Sequence, residues 1–120
     1  MAKILIVDDD PDAREILSSR IKSFGYEVKE AQNGWEAVEC LKKYKPDLIL
    51  MDIMMPKLDG YTACKIIKED ESTKKIPIIF LTAKELLGEI EKAFACGGDD
   101  YVIKPVSWER LVPKIKKFIP

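Results

Sequence analysis

Four apolar runs in this chain end on residues that can hold charge or a transferable group. The first closes with Asp8-Asp9-Asp10, the third with Asp52, the fourth with Thr82 and the fifth with Lys104-Pro105. Carboxylates gathered at one place repel one another and hold their protons to higher pH, unless a cation relieves them. Oxygen ligands without nearby histidine or cysteine suit Mg²⁺ better than Zn²⁺. Lys104 would bring an ammonium and Thr82 a hydroxyl donor, and the oxygens of a phosphoryl group would satisfy metal, ammonium and hydroxyl together. Taken singly these residues say little. Asp10 just before Pro11 is the ordinary choice for a helix N-cap, and a lone Thr82 or Lys104 is an ordinary strand-end residue. Asp52 is less ordinary, because a charge closing the buried run Leu48-Ile49-Leu50-Met51 is costly without a partner.

These groups converge only if the runs are parallel strands. Five runs are expected as strands: Lys3–Asp8, Tyr26–Ala31, Asp47–Asp52, Pro77–Thr82 and Tyr101–Lys104. The first, third and fourth are continuously apolar, as in strands buried on both faces, whereas the second alternates and suits an edge. Helical stripes lie between them. Ala13, Ile16, Leu17, Ile21 and Phe24 form one, closed by Gly25. Ala37, Val38 and Leu41 form another, with Asn33 and Glu36 as a capping box. Ala63, Cys64 and Ile67 form the third, Leu86, Ile90, Ala93, Phe94 and Gly97 the fourth, and Leu111, Ile115 and Phe118 the last. Pro113 lies inside that last stripe, where a kink or a late helix start is expected.

The alternation (βα)5 implies an α/β fold, a doubly wound five-stranded parallel sheet with helices on both faces. The flavodoxin-like order 2-1-3-4-5 leads among its topologies and puts the crevice at the carboxyl ends of the first and third strands.

Composition narrows the function. The 120 residues suit one domain spanning 1–120, and a formal charge of −1 provides no general attraction to nucleic acid or membrane. Histidine is absent, which removes His-paired nucleophiles, His bases and His metal ligands. Three cysteines without C-x-x-C spacing read as reduced thiols in helices and favour the cytoplasm. No apolar run reaches membrane-spanning length.

Four segments carry a resemblance over essentially the whole chain: Ile4 to Pro11, Asp52 to Gly60, Pro77 to Ala83, and Gly98 to Pro105. In order and spacing they resemble the receiver domains of two-component response regulators, the chemotaxis regulators among them. The resemblance implies a signalling switch rather than an enzyme. Asp52 would accept a phosphoryl group from a phosphohistidine on a sensor histidine kinase or phosphotransfer protein. Asp9 and Asp52 would bind Mg²⁺, with Asp8 acting through water and the Met54 carbonyl as a further ligand. Thr82 and Lys104 would hold phosphoryl oxygens, the Lys104–Pro105 bond would be cis, and Tyr101 would change rotamer with Thr82 on activation. Met54 and Lys84 occupy positions that tune dephosphorylation. Gly97-Gly98 replaces the commoner Gly-Ala, with a looser loop expected.

Output would pass to a downstream protein or a fused effector domain, without direct nucleic-acid binding by this domain. The last two helices and fifth strand are expected to form the altered surface, with a homodimer there as one use of it. Lys92, Arg110 and Lys114, expected to face solvent, are its candidate contacts. Both a stand-alone regulator and part of a longer one fit the sequence. Two rivals stand beside this reading. A haloacid-dehalogenase-like hydrolase would use Asp8 as nucleophile and Asp10 as acid. A non-phosphorylated interaction module on the same fold would need none of the chemistry.

Overall fold

A computed structural model describes residues 2–83 and 90–119. Five strands form one sheet: β1 (Lys3–Val7), β2 (Glu27–Ala31), β3 (Leu48–Asp52), β4 (Ile78–Thr82) and β5 (Asp100–Ile103). Every pairing is parallel and the order is β2-β1-β3-β4-β5, as expected. The helices are α1 (Pro11–Ser23), α2 (Gly34–Cys40), α3 (Gly60–Glu69), α4 (Ile90–Ala95) and α5 (Trp108–Phe118).

Strand composition explains the order. All residues of β3 and β4 are buried, and in β1 only Lys3 is exposed. β2, whose Glu and Lys alternate with apolar residues, is exposed at three of five positions and lies at the edge. The sheet divides the core in two. Leu5, Val7, Ile49, Met51, Ile78 and Phe80 face Ala37, Ala63, Cys64, Ile67 and Ala93 on one side. Ile4, Ile6, Leu48, Leu50, Ile79 and Leu81 meet Leu17, Ile21, Leu111 and Ile115 on the other. A one-residue slip of any central strand would exchange the faces its side chains serve, so the register is firmly fixed.

Local signals set the helix ends. Asp10 caps α1 by accepting from the Asp12 and Ala13 N–H groups at 3.0 and 3.4 Å, with Pro11 in the first turn. Gly25 follows the C-cap Phe24 with φ 96°, a conformation that suits glycine. Asn33 caps α2 through the Glu36 N–H at 2.9 Å. The Glu36 carboxylate reaches back to the Gln32 N–H rather than to Asn33, so the expected box is displaced by one residue.

Other expectations need correction. Ile16, assigned to the buried stripe of α1, is 68% exposed, because that stripe is wider than the surface the sheet offers. α5 begins at Trp108 and runs through an exposed Pro113, so there is no late start. The backbone of α4 is described from Ile90 onward, and residues 84–89, Leu86 and Lys84 included, lie outside the described residues. The Gly97-Gly98 turn is tightly packed rather than loose. A Cβ at Gly98 would meet the Ala93 carbonyl oxygen and the Phe80 Cε2, each at 2.6 Å.

Candidate functional site

The carboxyl ends of β1, β3, β4 and β5 lie along one rim, and the chain direction delivers the charged residues there. Asp8 leaves β1 and is buried. Its N–H donates to the Ala31 carbonyl at 3.2 Å, and its Oδ1 accepts from the Asp10 N–H at 3.0 Å. The Arg14 guanidinium donates to the Asp8 carbonyl at 2.7 Å and to the Glu30 carboxylate at 3.0 Å. Arg14 thereby fastens α1 and β2 to the start of the acidic loop. Sequence reading missed it, and the signal was slight: one arginine a turn into a helix, facing a glutamate on the edge strand.

Asp52 is the last residue of β3 and is 8% exposed. Gly60, the first residue of α3, packs directly on it. A Cβ there would lie 2.5 Å from the Asp52 carbonyl oxygen and 2.9 Å from the Ile53 Cα. The Gly60 N–H donates to the Ile53 carbonyl at 2.8 Å, so α3 starts under the end of β3. The Asp-Gly pair is visible in the sequence, but this close approach is not.

Lys104 closes the site. Its Nζ lies 2.9 Å from Asp52 Oδ2 and 3.5 Å from Asp8 Oδ2, and the Lys104–Pro105 bond is cis as expected. Asp8, Asp9 and Asp52 each bring a carboxylate oxygen within 4.8 Å of the others. Asp9 is exposed and has no partner among the described residues.

Burial raises the Asp52 pKa above the ordinary carboxylate value. Lys104 opposes that rise through hydrogen bond and charge, and the Asp8 charge adds to it. For Lys104, burial disfavours the ammonium, but Asp52 and Asp8 outweigh it and raise its pKa. The Asp52 rise is thus chiefly a burial effect, and the Lys104 rise an effect of its two carboxylate neighbours.

Thr82 ends β4 fully buried, with its hydroxyl 3.3 Å from the Ala83 carbonyl oxygen. Its register partner on β5 is Ile103, and Tyr101 pairs instead with Phe80. Thr82 and Tyr101 therefore share a face but stand one step apart along the strands. Tyr101 is half-buried, edge-on to Phe94 with centroids 6.2 Å apart. Lys114 was expected to face solvent. Its Nζ instead bonds Asp100 Oδ1 at 2.7 Å and the Tyr101 carbonyl at 2.9 Å. Arg110 and Lys92 are exposed. Met54, two residues beyond Asp52, has a largely exposed side chain in the β3–α3 loop.

The model of the response regulator receiver domain matches residues 4–116. The chain belongs to this family. The transcriptional regulator RpaA of Synechocystis sp., described as DNA-binding, is 37% identical over 99% of this receiver domain and 49% of its own length. The domain thus spans about half the length of the curated relatives it matches. Among solved structures, the chemotaxis response regulator CheY4 of Vibrio cholerae is 30% identical, with TM-score 0.91 and 98% of each chain covered. The receiver domain of a sensor histidine kinase from Pseudomonas aeruginosa PAO1 is 35% identical, with TM-score 0.90, covering 98% of this chain and 97% of its own. That structure has a magnesium ion coordinated in its active site cleft.

The chain is thus a receiver domain of the two-component phosphorelay type, and its curated relatives are transcriptional regulators. The family match over residues 4–116 sets the hydrolase alternative aside, and Asp10 serves as the N-cap of α1. Among the described residues no helix is long and apolar enough to cross a membrane.

Proposed function

We propose that this receiver accepts a phosphoryl group on Asp52 from a phosphohistidine of a cytoplasmic sensor kinase or phosphotransfer protein, and that Mg²⁺ is required. The observation that carries the reading is the meeting of Asp8, Asp9 and Asp52 oxygens within 4.8 Å beside the Lys104 ammonium. An all-oxygen donor set, with an Asp9 carboxylate that has no partner among the described residues, fits a hard divalent cation. Asp9 and Asp52 would hold the ion directly, Asp8 through water, and the Met54 carbonyl would complete the protein ligands. When bound, Mg²⁺ supplies positive charge that lets carboxylates and phosphoryl oxygens share the site.

The protein's own part is positioning and charge. An Asp52 carboxylate oxygen attacks phosphorus in line, and the phosphorus–nitrogen bond to the donor histidine breaks as its electron pair returns to the ring. Lys104, already at the Asp52 oxygen, holds a phosphoryl oxygen. The Thr82 hydroxyl turns from the Ala83 carbonyl to donate to another. Arg14 keeps the Asp8 backbone fixed while these charges rearrange. A groove lined by Ala13, Ile16, Leu17, Pro105 and Trp108 runs up to Asp8 and Lys104 and offers the donor protein an apolar footing.

Moving Thr82 vacates space on the face it shares with Tyr101, and rotation of Tyr101 alters the surface of α4, β5 and α5. A downstream protein, a second copy of this domain or a fused effector domain reads that change. Where the domain is part of a longer regulator, nucleic-acid contacts belong to the remainder.

Incubation with acetyl phosphate, followed by intact mass, tests the reading. One phosphoryl group should add in Mg²⁺, none in chelator, and none in Asp52→Asn. Unchanged labelling of Asp52→Asn refutes the acceptor.

A further inference from the structure

Two of the three cysteines, far apart in sequence, meet on the α3–α4 side of the sheet. Cys64 sits in the middle of α3 and is fully buried. Cys96 follows α4 directly and is half-buried. The Cys64 thiol lies 3.3 Å from the Cys96 carbonyl oxygen, and the Cys96 thiol lies 3.1 Å from the Ala93 carbonyl oxygen. Cys40 is elsewhere, in α2 beside β2.

The two sulfurs differ in the way a sequential oxidation needs. Cys96 lines an open groove with Tyr61, Lys65, Lys68 and Lys92, where a small oxidant can enter. Cys64 lies behind it, and burial pushes its pKa up, so it persists as a thiol until a reactive sulfur is presented. A groove-lining thiol beside a fully buried resolving thiol is the arrangement of a reversible redox pair.

We propose that Cys64 and Cys96 are a modification site, a dithiol that hydroperoxides convert to an intramolecular disulfide clamping the end of α4 to α3. The Cys96 thiolate attacks a peroxide oxygen. The O–O bond breaks, leaving Cys96 sulfenic acid and hydroxide. The Cys64 thiol then displaces the sulfenic oxygen, which leaves with the Cys64 proton as water, and the proton Cys96 gave up in forming its thiolate neutralises the hydroxide. In total, two thiols and one hydrogen peroxide give one disulfide and two waters. A thiol reductant reverses the step.

The clamp would act on a specific turn. The Cys96, Gly97 and Gly98 N–H groups donate to the Lys92, Phe94 and Ala93 carbonyls at 3.1, 3.0 and 3.0 Å, and Phe94 packs on Tyr101. Fixing this turn to α3 would restrain the route by which α4 moves relative to Tyr101. The proposal does not depend on phosphorylation.

The test uses the whole chain carrying Cys40→Ser, treated with hydrogen peroxide and then quenched. The intact mass should fall by two hydrogens, and alkylation followed by peptide mapping should join the segments holding Cys64 and Cys96. Dithiothreitol should restore the mass. Adding Cys96→Ser, a near-isosteric change at a half-buried position on the edge of the core, should abolish the link and leave Cys64 unoxidised. In the linked protein, hydrogen exchange at Cys96, Gly97 and Gly98 should slow several-fold. Accumulation of Cys96 sulfinic acid with Cys64 still free would overturn the pairing. Unchanged exchange in the linked protein would overturn the clamp.

Discussion

Lys104 Nζ lies 2.9 Å from Asp52 Oδ2, an ion pair between the ends of β3 and β5 that no backbone hydrogen bond spans, since β4 runs between them. It places the ammonium on the carboxylate assigned to accept the phosphoryl group. The same Nζ reaches Asp8 at 3.5 Å, so one mobile cation serves two acids contributed by different strands.

Removing that cation should expose the repulsion it offsets. Lys104→Ala should fold, yet be less stable in chelator by on the order of 1 kcal/mol, since the ammonium is partly exposed. Thermal melts with and without Mg²⁺ check this. The deficit should shrink in Mg²⁺, which replaces the missing charge. Loss of folding, or a deficit indifferent to metal, would mean that Lys104 is chiefly a structural tie.

Asp52 gives a pH signature of opposite sign to that of a typical salt-bridged carboxylate. Its folded pKa is raised above 3.8, so between that value and the raised one the folded state binds more protons than the unfolded chain. Stability from this group therefore falls as pH rises through that window. Lys104 contributes stability fully present below 10.5 and lost as pH climbs through its raised value. In chelator at neutral pH, Asp52→Asn should be the more stable protein by roughly 1 kcal/mol, as expected for removing an under-compensated buried charge. The gain should vanish in acid below the ordinary carboxylate pKa. Urea titrations across pH decide it, and a less stable Asp52→Asn at neutral pH without metal would contradict the charge imbalance.

Gly60 should tolerate no side chain. The methyl of Gly60→Ala would collide with backbone at 2.5 and 2.9 Å, where no flexible side chain can yield. A loss of roughly 1–3 kcal/mol is expected from overpacking, together with slower acetyl phosphate labelling, because the displaced backbone is that of Asp52. Gly25→Ala is the comparison, with φ 96° but open space, and should lose stability without affecting labelling. Equal labelling rates in the two variants would separate Gly60 from the site.

Thr82 should couple the site to the α4–β5–α5 surface. Beryllofluoride, which mimics the phosphoryl group, should shift backbone resonances from Asp52 through Thr82 to Tyr101 and α5. Thr82→Ala should keep binding nearly intact and diminish the distant shifts, with coupling of about 1–3 kcal/mol. Shifts confined to the site in the unmutated protein would mean ligand binding without switching.

How much of this was readable beforehand depends on the range of the forces involved. The strands and the acidic rim follow from patterns within a few residues of each other, whereas the order 2-1-3-4-5 is the leading topology for such a sheet rather than a reading of periodicity. Continuous apolar runs require burial on both faces, alternation marks β2 as an edge, and parallel strands bring their carboxyl ends to one side. Asp8, Asp9, Asp52, Thr82 and Lys104 could therefore be picked out from position alone. Burial of Ile16, the freedom of Lys114, the room at Gly98 and the pairing of Cys64 with Cys96 could not. Each depends on which distant surface arrives opposite, and only the closed sheet with its helices in place determines that. Ile16 is apolar in sequence but finds no sheet beneath it. Lys114 is charged in sequence but finds Asp100 and the Tyr101 carbonyl. Local pattern selects the elements and their direction, while long-range packing decides which side chains meet and how much space and charge each contact has.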